Sequence, residues 1–179
     1  MKLIDRIYHI INPLKAAERD GLHLGKNVTR LSKMGSSFGS EPYLITIEDE
    51  VRMSGGVHFV THDGGTWAFR DLPEFQDDGN DIAAYGSIKV GYRTFIGYGA
   101  IIMPGVIIGK RCVIGAGAIV TRNIPDNSVA VGCPAKVIGS TSDYASRCLK
   151  RHRETGYDCQ RLSSDKRGYL EELMRQKKI

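Results

Sequence analysis

The chain has 179 residues with 25 Lys/Arg against 20 Asp/Glu, 21 glycines and four cysteines, for a net charge of +5. That length suits one domain with appendages. No apolar run approaches the ~20 residues that cross a bilayer, and the charged opening MKLIDRIYHIINPLK does not read as a secretory signal. Most of the excess charge falls in residues 141–179, ten Lys/Arg against six Asp/Glu. Without interleaved aromatics or a recognisable module this is a solvated tail, and no nucleic-acid partner is expected.

Residues 2–11 set Leu3, Ile4, Ile7, Ile10 and Ile11 at helical spacing, and Pro13 ends the run. A second helix is expected over 13–20, stopped by Gly21, which makes 1–21 an N-terminal helical segment. From residue 22 a different period begins with Leu24-Gly25 and Val28, and the Gly/Ser-rich RLSKMGSSFGSEPY interrupts it. It resumes at Ile47/Val51 and Met53/Val57, then reaches Phe59, whose partner position holds Asp63. An excursion over about 64–84 follows, with Trp67, Phe69, Arg70 and the acids Asp71, Glu74, Asp77, Asp78 and Asp81. Loops of that length inside compact domains are usually functional or disordered.

Between Val90 and Pro125 the pattern is complete. A β-branched aliphatic recurs every six residues, at Val90, Ile96, Ile102, Ile108, Ile114 and Val120. Four positions after each stands a second small or apolar residue: Thr94, Ala100, Val106, Cys112, Ala118 and Ile124. Glycine follows the lead residue at 91, 97, 109 and 115, read here as a corner where a positive φ is cheap without a Cβ. A period of six fits neither a helix nor a two-sided strand. It fits a hexapeptide solenoid, with short strands around a triangular prism and three hexads to a coil. The expected fold class is therefore an all-β solenoid, a parallel β-helix over 22–139. In 140–179, DYASRCLKRH and DKRGYLEELMRQKK read as two polar-faced helices that cap its open end. The cysteines at 112, 133, 148 and 159 form no CxxC, and Cys112 takes an interior position. Reduced thiols in a cytoplasmic protein are expected, not a disulfide framework or a zinc site.

The hexads, THDGG before the long loop, and IGAGAIVTRNIP followed by VAVGCPAKVIG resemble the hexapeptide-repeat acyltransferases over about residues 22–139. The chain is most similar to the acetyltransferases of capsular and exopolysaccharide synthesis. The resemblance implies a left-handed parallel β-helix, an exception to the usual handedness of crossovers. It also implies acetyl-CoA as co-substrate, no metal, and a homotrimer with active sites between subunits.

Within that resemblance His62 of THD is the general base. A hydroxyl or amine attacking a thioester must lose a proton, which an imidazole can take and pass to the leaving thiolate. His58 is the competing histidine. Asp63 either holds the His62 tautomer or caps a turn. Ser36, Ser37 and the cysteines have no histidine in a recognisable arrangement, so direct transfer is preferred to a covalent intermediate. A backbone N–H near Tyr98-Gly99 is expected to face the developing oxyanion. Corners at Gly115, Ala116 and Gly117 would let the pantetheine arm lie close to the backbone. Ala116, Thr121 and Arg122 match family positions along that arm and at the adenosine phosphates, and Lys136 of GCPAK matches a basic position near the same phosphates. Tyr92 departs from the family's usual Asp or Asn after glycine.

The excursion is the expected acceptor site. Trp67 and Phe69 would offer a flat apolar face to a pyranose ring, with Arg70 or Asp71 bonding its hydroxyls; Trp67 could equally anchor the loop. The expected reaction is O-acetylation of a sugar hydroxyl of a surface polysaccharide or its precursor. The alternatives are N-acetylation of a nucleotide-linked amino sugar or of a xenobiotic, and a non-catalytic trimeric scaffold. A zinc hydratase of the γ-carbonic anhydrase type needs three imidazoles around the metal, and His58 and His62 stand too close on one coil for that.

Overall fold

The computed structural model describes residues 10–31, 37–75 and 84–178. Of the helix expected over 2–11, only Ile10 and Ile11 fall among them; Ser36, Asp77, Asp78 and Asp81 lie outside. A helix runs Pro13–Arg19, with proline at its first position, and Gly21 follows at φ +104°.

Beyond it, strands of two to five residues form three faces of a prism. The first face stacks His23–Leu24, Ile45–Ile47, Ile88–Val90 and Ile107–Ile108; the third stacks His58–Phe59, Ile101–Ile102 and Ile119–Val120. The second carries Thr29–Arg30, Arg52–Met53, Phe95–Ile96, Val113–Ile114, Ser128–Val131 and Lys136–Ser140. The coil-to-coil pairings are parallel, and between Ile88 and Val120 each residue meets the one three hexads away, as in Phe95 with Val113 and Ile101 with Ile119. The lead aliphatics from Val90 to Val120 are all completely buried, and Thr94, Ala100, Val106, Cys112, Ala118 and Ile124 fill the space beside them. At about 1.5–3 kcal/mol for each fully buried aliphatic, this column is the main source of stability.

The structure corrects the reading of the glycines. Gly91, Gly97, Gly109 and Gly115 have no positive φ. They are glycine because the next coil leaves no room: a Cβ on Gly97 would meet the Ala116 nitrogen at 2.5 Å, and one on Gly91 the Gly109 carbonyl carbon at 2.6 Å. The left-handed corner falls two residues later. Between the first and second faces it is occupied by Asn27, Glu50, Arg93, Arg111 and Asn127, at φ between 52° and 59°. Between the second and third faces the same conformation is held by Gly56, Gly99 and Gly117.

Two departures break the register. Ile101 pairs back to His58, not to residue 83, because the excursion is inserted between their coils. At the far end Lys136–Ser140 turns back antiparallel on Ser128–Val131, so the last strand closes the second face instead of adding a coil.

The chain divides into two compact units, Met1–Thr141 and Ser142–Ile179. The helix Thr141–Thr155 leads into the second, which continues with helices Cys159–Ser164 and Lys166–Arg175. Asp158 and Asp165 cap the latter two through Gln160, Arg161 and Gly168 N–H groups, which is why the tail has one helix more than its apolar spacing suggests. Tyr169 and Leu173 are buried, with the Arg161 guanidinium 4.4 Å from the Tyr169 ring centroid. Among the described residues no helix is long and apolar enough to cross a membrane.

Candidate active site

The site forms where the solenoid is least regular. Leaving the third face at Phe59, the chain makes a short antiparallel pair, His62–Asp63 with Ala84–Tyr85, at the base of the excursion. His62 lies opposite Tyr85, with ring centroids 5.9 Å apart and planes at 59°. A cavity of about 540 Å³ opens beside them, floored by Val60, Met103 and Thr121 from successive coils and walled by His62, Tyr85 and Gly105.

The carboxylate that meets the histidine is Glu41. Its Oε2 lies 3.0 Å from His62 Nδ1, and the Thr61 hydroxyl donates to that same oxygen. The Glu41 side chain is only 14% exposed, against 43% for His62. The Thr61 bond, and after it the His62 contact, hold the Glu41 carboxyl below its ordinary range against the opposing pull of burial. An ionised carboxylate only accepts, so His62 Nδ1 must carry the hydrogen in this contact. In the neutral ring the lone pair then belongs to Nε2, the nitrogen a general base uses.

Asp63 does not share this work. Its Oδ1 accepts from Gly65 N–H at 2.8 Å and caps the 3-10 turn Gly64–Phe69. Trp67, on that turn, is 78% exposed and so does not anchor the loop on its own coil. Arg70 donates through Nη2 to the buried Thr66 hydroxyl at 3.1 Å, Phe69 is half-buried and Asp71 is exposed. None of these four lines the His62 cavity. His58 points outward from the third face and is exposed.

The expected coenzyme residues divide between two edges of the third face. Thr121 and Arg122 share the corner of His62, two coils on, and Thr121 lines its cavity. Tyr98, Gly99, Ala116 and Gly117 lie along the opposite corner. There the Gly99 N–H donates to Gly55 O and the Gly117 N–H to Tyr98 O. The Gly99 amide is therefore committed to the coil stack, which removes it as an oxyanion donor. Gly105 packs against Gly86 of the neighbouring coil, lines the same cavity, and its N–H donates to no group among the described residues. A Cβ on Gly99 or Gly117 would meet nothing within 4 Å. Arg93 and Arg111 adopt the same φ, so neither geometry nor packing within the chain demands glycine there. An open, Cβ-free track of this kind fits the close approach of an extended arm such as pantetheine. Lys136 is exposed on the closing strand.

Among the described residues no thiol lines this cavity. Cys112 is buried in the prism, donates to Pro125 O, and its pKa is raised chiefly by that burial. Among the described residues no group of three His, Cys, Asp or Glu could hold a metal.

Residues 87–122 match the family model described as the hexapeptide repeat of succinyl-transferase. Protein CapG of Staphylococcus aureus is 44% identical over 131 residues, covering 73% of this chain and 72% of that protein. The chain belongs to the hexapeptide-repeat acetyltransferases. A putative acetyltransferase of Schizosaccharomyces pombe is 55% identical to this one over 51 residues, which is 28% of this chain and a quarter of that protein. Among solved structures, a maltose O-acetyltransferase from Clostridium difficile 630 superposes with a TM-score of 0.55 at 25% identity, covering 76% of this chain and 82% of that one. The prism of this acetyltransferase is thus the left-handed parallel β-helix of its family.

Sequence reasoning missed Glu41, Thr61 and Gly105. Glu41 stands in the Gly/Ser-rich interruption, where no period marks which residue faces the site.

Proposed function

We propose that the protein is an acetyl-CoA-dependent O-acetyltransferase that modifies a sugar hydroxyl of a surface polysaccharide or its precursor. The observation that carries this is the Glu41–His62 contact at the edge of an open cavity, in a chain whose relatives are acetyltransferases. The acceptor hydroxyl gives its proton to His62 Nε2 as its oxygen attacks the thioester carbonyl carbon. The Gly105 N–H is the candidate donor to the negative oxygen that forms. The C–S bond then breaks, and the imidazolium returns its proton to the departing thiolate. Glu41 keeps the ring in the reacting tautomer and stabilises its charged form.

The Cβ-free track at Gly99 and Gly117 suits the pantetheine arm, with Ala116 beside it, Thr121 at the cavity end, and Arg122 and Lys136 for the adenosine phosphates. A single chain leaves the cavity and this track at opposite corners, which supports a homotrimer in which a neighbouring subunit completes each site. Exposed Trp67, with Phe69, Arg70 and Asp71 behind it, is the proposed acceptor platform. A cytoplasmic location accords with acetyl-CoA as donor and with the free thiols of Cys112, Cys133 and Cys148.

The test is mass spectrometry of products formed from acetyl-CoA with neutral pyranosides and nucleotide-linked amino sugars. A base-labile, oxygen-linked acetyl group is expected; an acetyl group on nitrogen overturns the assignment. His62→Ala should bind coenzyme A as before and lose about 10²-fold or more in turnover.

A further inference from the structure

We propose that Thr61 is a positioning residue for the transfer: its hydroxyl, reached across the Cβ-free backbone of Gly39, fixes the Glu41 carboxylate so that His62 keeps one tautomer. This rests on the reading of His62 as general base.

Thr61 is almost completely buried, beside the apolar pair Phe38 and Phe59. Packing alone asks nothing of a hydroxyl there, and a valine has the same shape. A buried hydroxyl needs a partner, and this one takes Oε2 of Glu41, the same oxygen that accepts from His62 Nδ1. Two donors converging on one oxygen hold the carboxylate against rotation more firmly than either alone, and the partly buried setting strengthens both bonds.

The segment before Glu41 is built to reach this point. Ser37 bridges to His58, and the Phe38 ring stacks on Phe59 at 5.4 Å with planes 10° apart. Gly39 then turns at φ +69°, so close that a Cβ would lie 2.5 Å from the Thr61 hydroxyl oxygen and 3.2 Å from Phe59 O. Pro42, buried, starts a 3-10 turn for which Glu41 is the preceding cap residue. Glu41 is thus held from both sides, from a stretch 20 residues away in sequence. The titratable groups around the contact, among the described residues, are Glu41, His62, Asp63 and Tyr85. Asp63 is occupied by Gly65 N–H, and Tyr85 meets the ring from the opposing strand.

The test is nitrogen-15 NMR of the histidine rings in the full chain, with His62 assigned by its loss in His62→Ala. Wild type and Thr61→Ser should both show the Nδ1–H tautomer. Thr61→Val, which keeps the shape and removes the donor, should populate the Nε2–H tautomer. The acid-side inflection that Glu41 imposes on the ring should move to higher pH in Thr61→Val and return in Thr61→Ser. Thiol release from acetyl-CoA with a neutral pyranoside acceptor should fall ~10-fold in kcat with KM for acetyl-CoA unchanged, the scale of one lost bond to a charged group. Ring signals and titration in Thr61→Val identical to wild type overturn the proposal. Should Thr61→Val fail to fold, Gly39→Ala, whose Cβ displaces the same hydroxyl, must give the same tautomer mixture, and a wild-type ring in that variant also overturns it. Full turnover in His62→Ala would instead refute the general-base reading, and the ring spectra would still decide what Thr61 does.

Discussion

The coils from Ile88 to Val131 and the segment from Ser37 to Gly86 are parts of one solenoid that solve opposite problems. In the first, the inward residues from Ile88 to Val120 stack on counterparts three hexads away, and most backbone hydrogen bonds run between coils. What these coils leave for chemistry lies at their corners, as at Gly99, Gly105 and Gly117. In the second, an insertion breaks the register, and the backbone leaves the prism to make the pair His62–Asp63 with Ala84–Tyr85. Irregularity there brings together Glu41, Thr61 and His62, side chains that no six-residue repeat could align. Stability resides in the repeats, and reactivity resides where they fail.

The sharpest way to break this comparison is to exchange the two kinds of damage. Ile114→Ala, at a completely buried lead position, should destabilise the fold by about 2–5 kcal/mol, read as a lower urea midpoint. His62→Ala should leave that midpoint within ~0.5 kcal/mol of wild type while turnover collapses. A stable Ile114→Ala would mean that the column is not the core.

The glycines supply the next contrast. Gly97→Ala sets a Cβ 2.5 Å from the Ala116 nitrogen, and overpacking of that kind costs about 1–3 kcal/mol. Gly117→Ala meets nothing and keeps a φ that arginine tolerates elsewhere, with a strain of about 1 kcal/mol. Its larger effect should be a raised KM for acetyl-CoA, measured by steady-state kinetics. An unchanged KM would remove the pantetheine arm from that corner.

A smaller effect distinguishes Glu41 by pH. Its carboxyl titrates below the ordinary range, first because of Thr61 and then because of His62. The stability it contributes is therefore fully present above the ordinary carboxylate value, near 4, and is lost as pH falls through its own lower value. Wild type should exceed Glu41→Gln in urea midpoint near neutrality, and the gap should close in acid. A gap that persists in acid would show that charge is not what Glu41 supplies. The smallest change is expected for Trp67→Ala, whose ring is exposed: stability within ~0.5 kcal/mol and a raised KM for the acceptor alone.

Much of the fold could be read directly from the residues because a solenoid's interior is local. Val90, Ile96 and Ile102 need only their spacing to declare a prism. The glycines were misread because Gly97 looks the same whether it turns the chain or lets another coil pass; only the distance to Ala116 separates the two. His62 was legible from THD at the end of a coil. Its partner was not, because Asp63 is adjacent in sequence, yet a strand sends adjacent side chains to opposite sides. The same limit applies to the oxyanion: Gly99 and Gly105 are alike as letters, and only the hydrogen bond to Gly55 tells which amide is committed.

The sequence by itself determined the six-residue period, the buried column, the coil that bears the histidine and the length of the excursion. Each follows from a pattern that a residue shares with near neighbours. The tertiary structure alone decided which carboxylate meets His62, which amide stays free and which corner stays bare of Cβ atoms. Those depend on contacts between coils, where an inserted loop can carry Glu41 across a gap that no local spacing records.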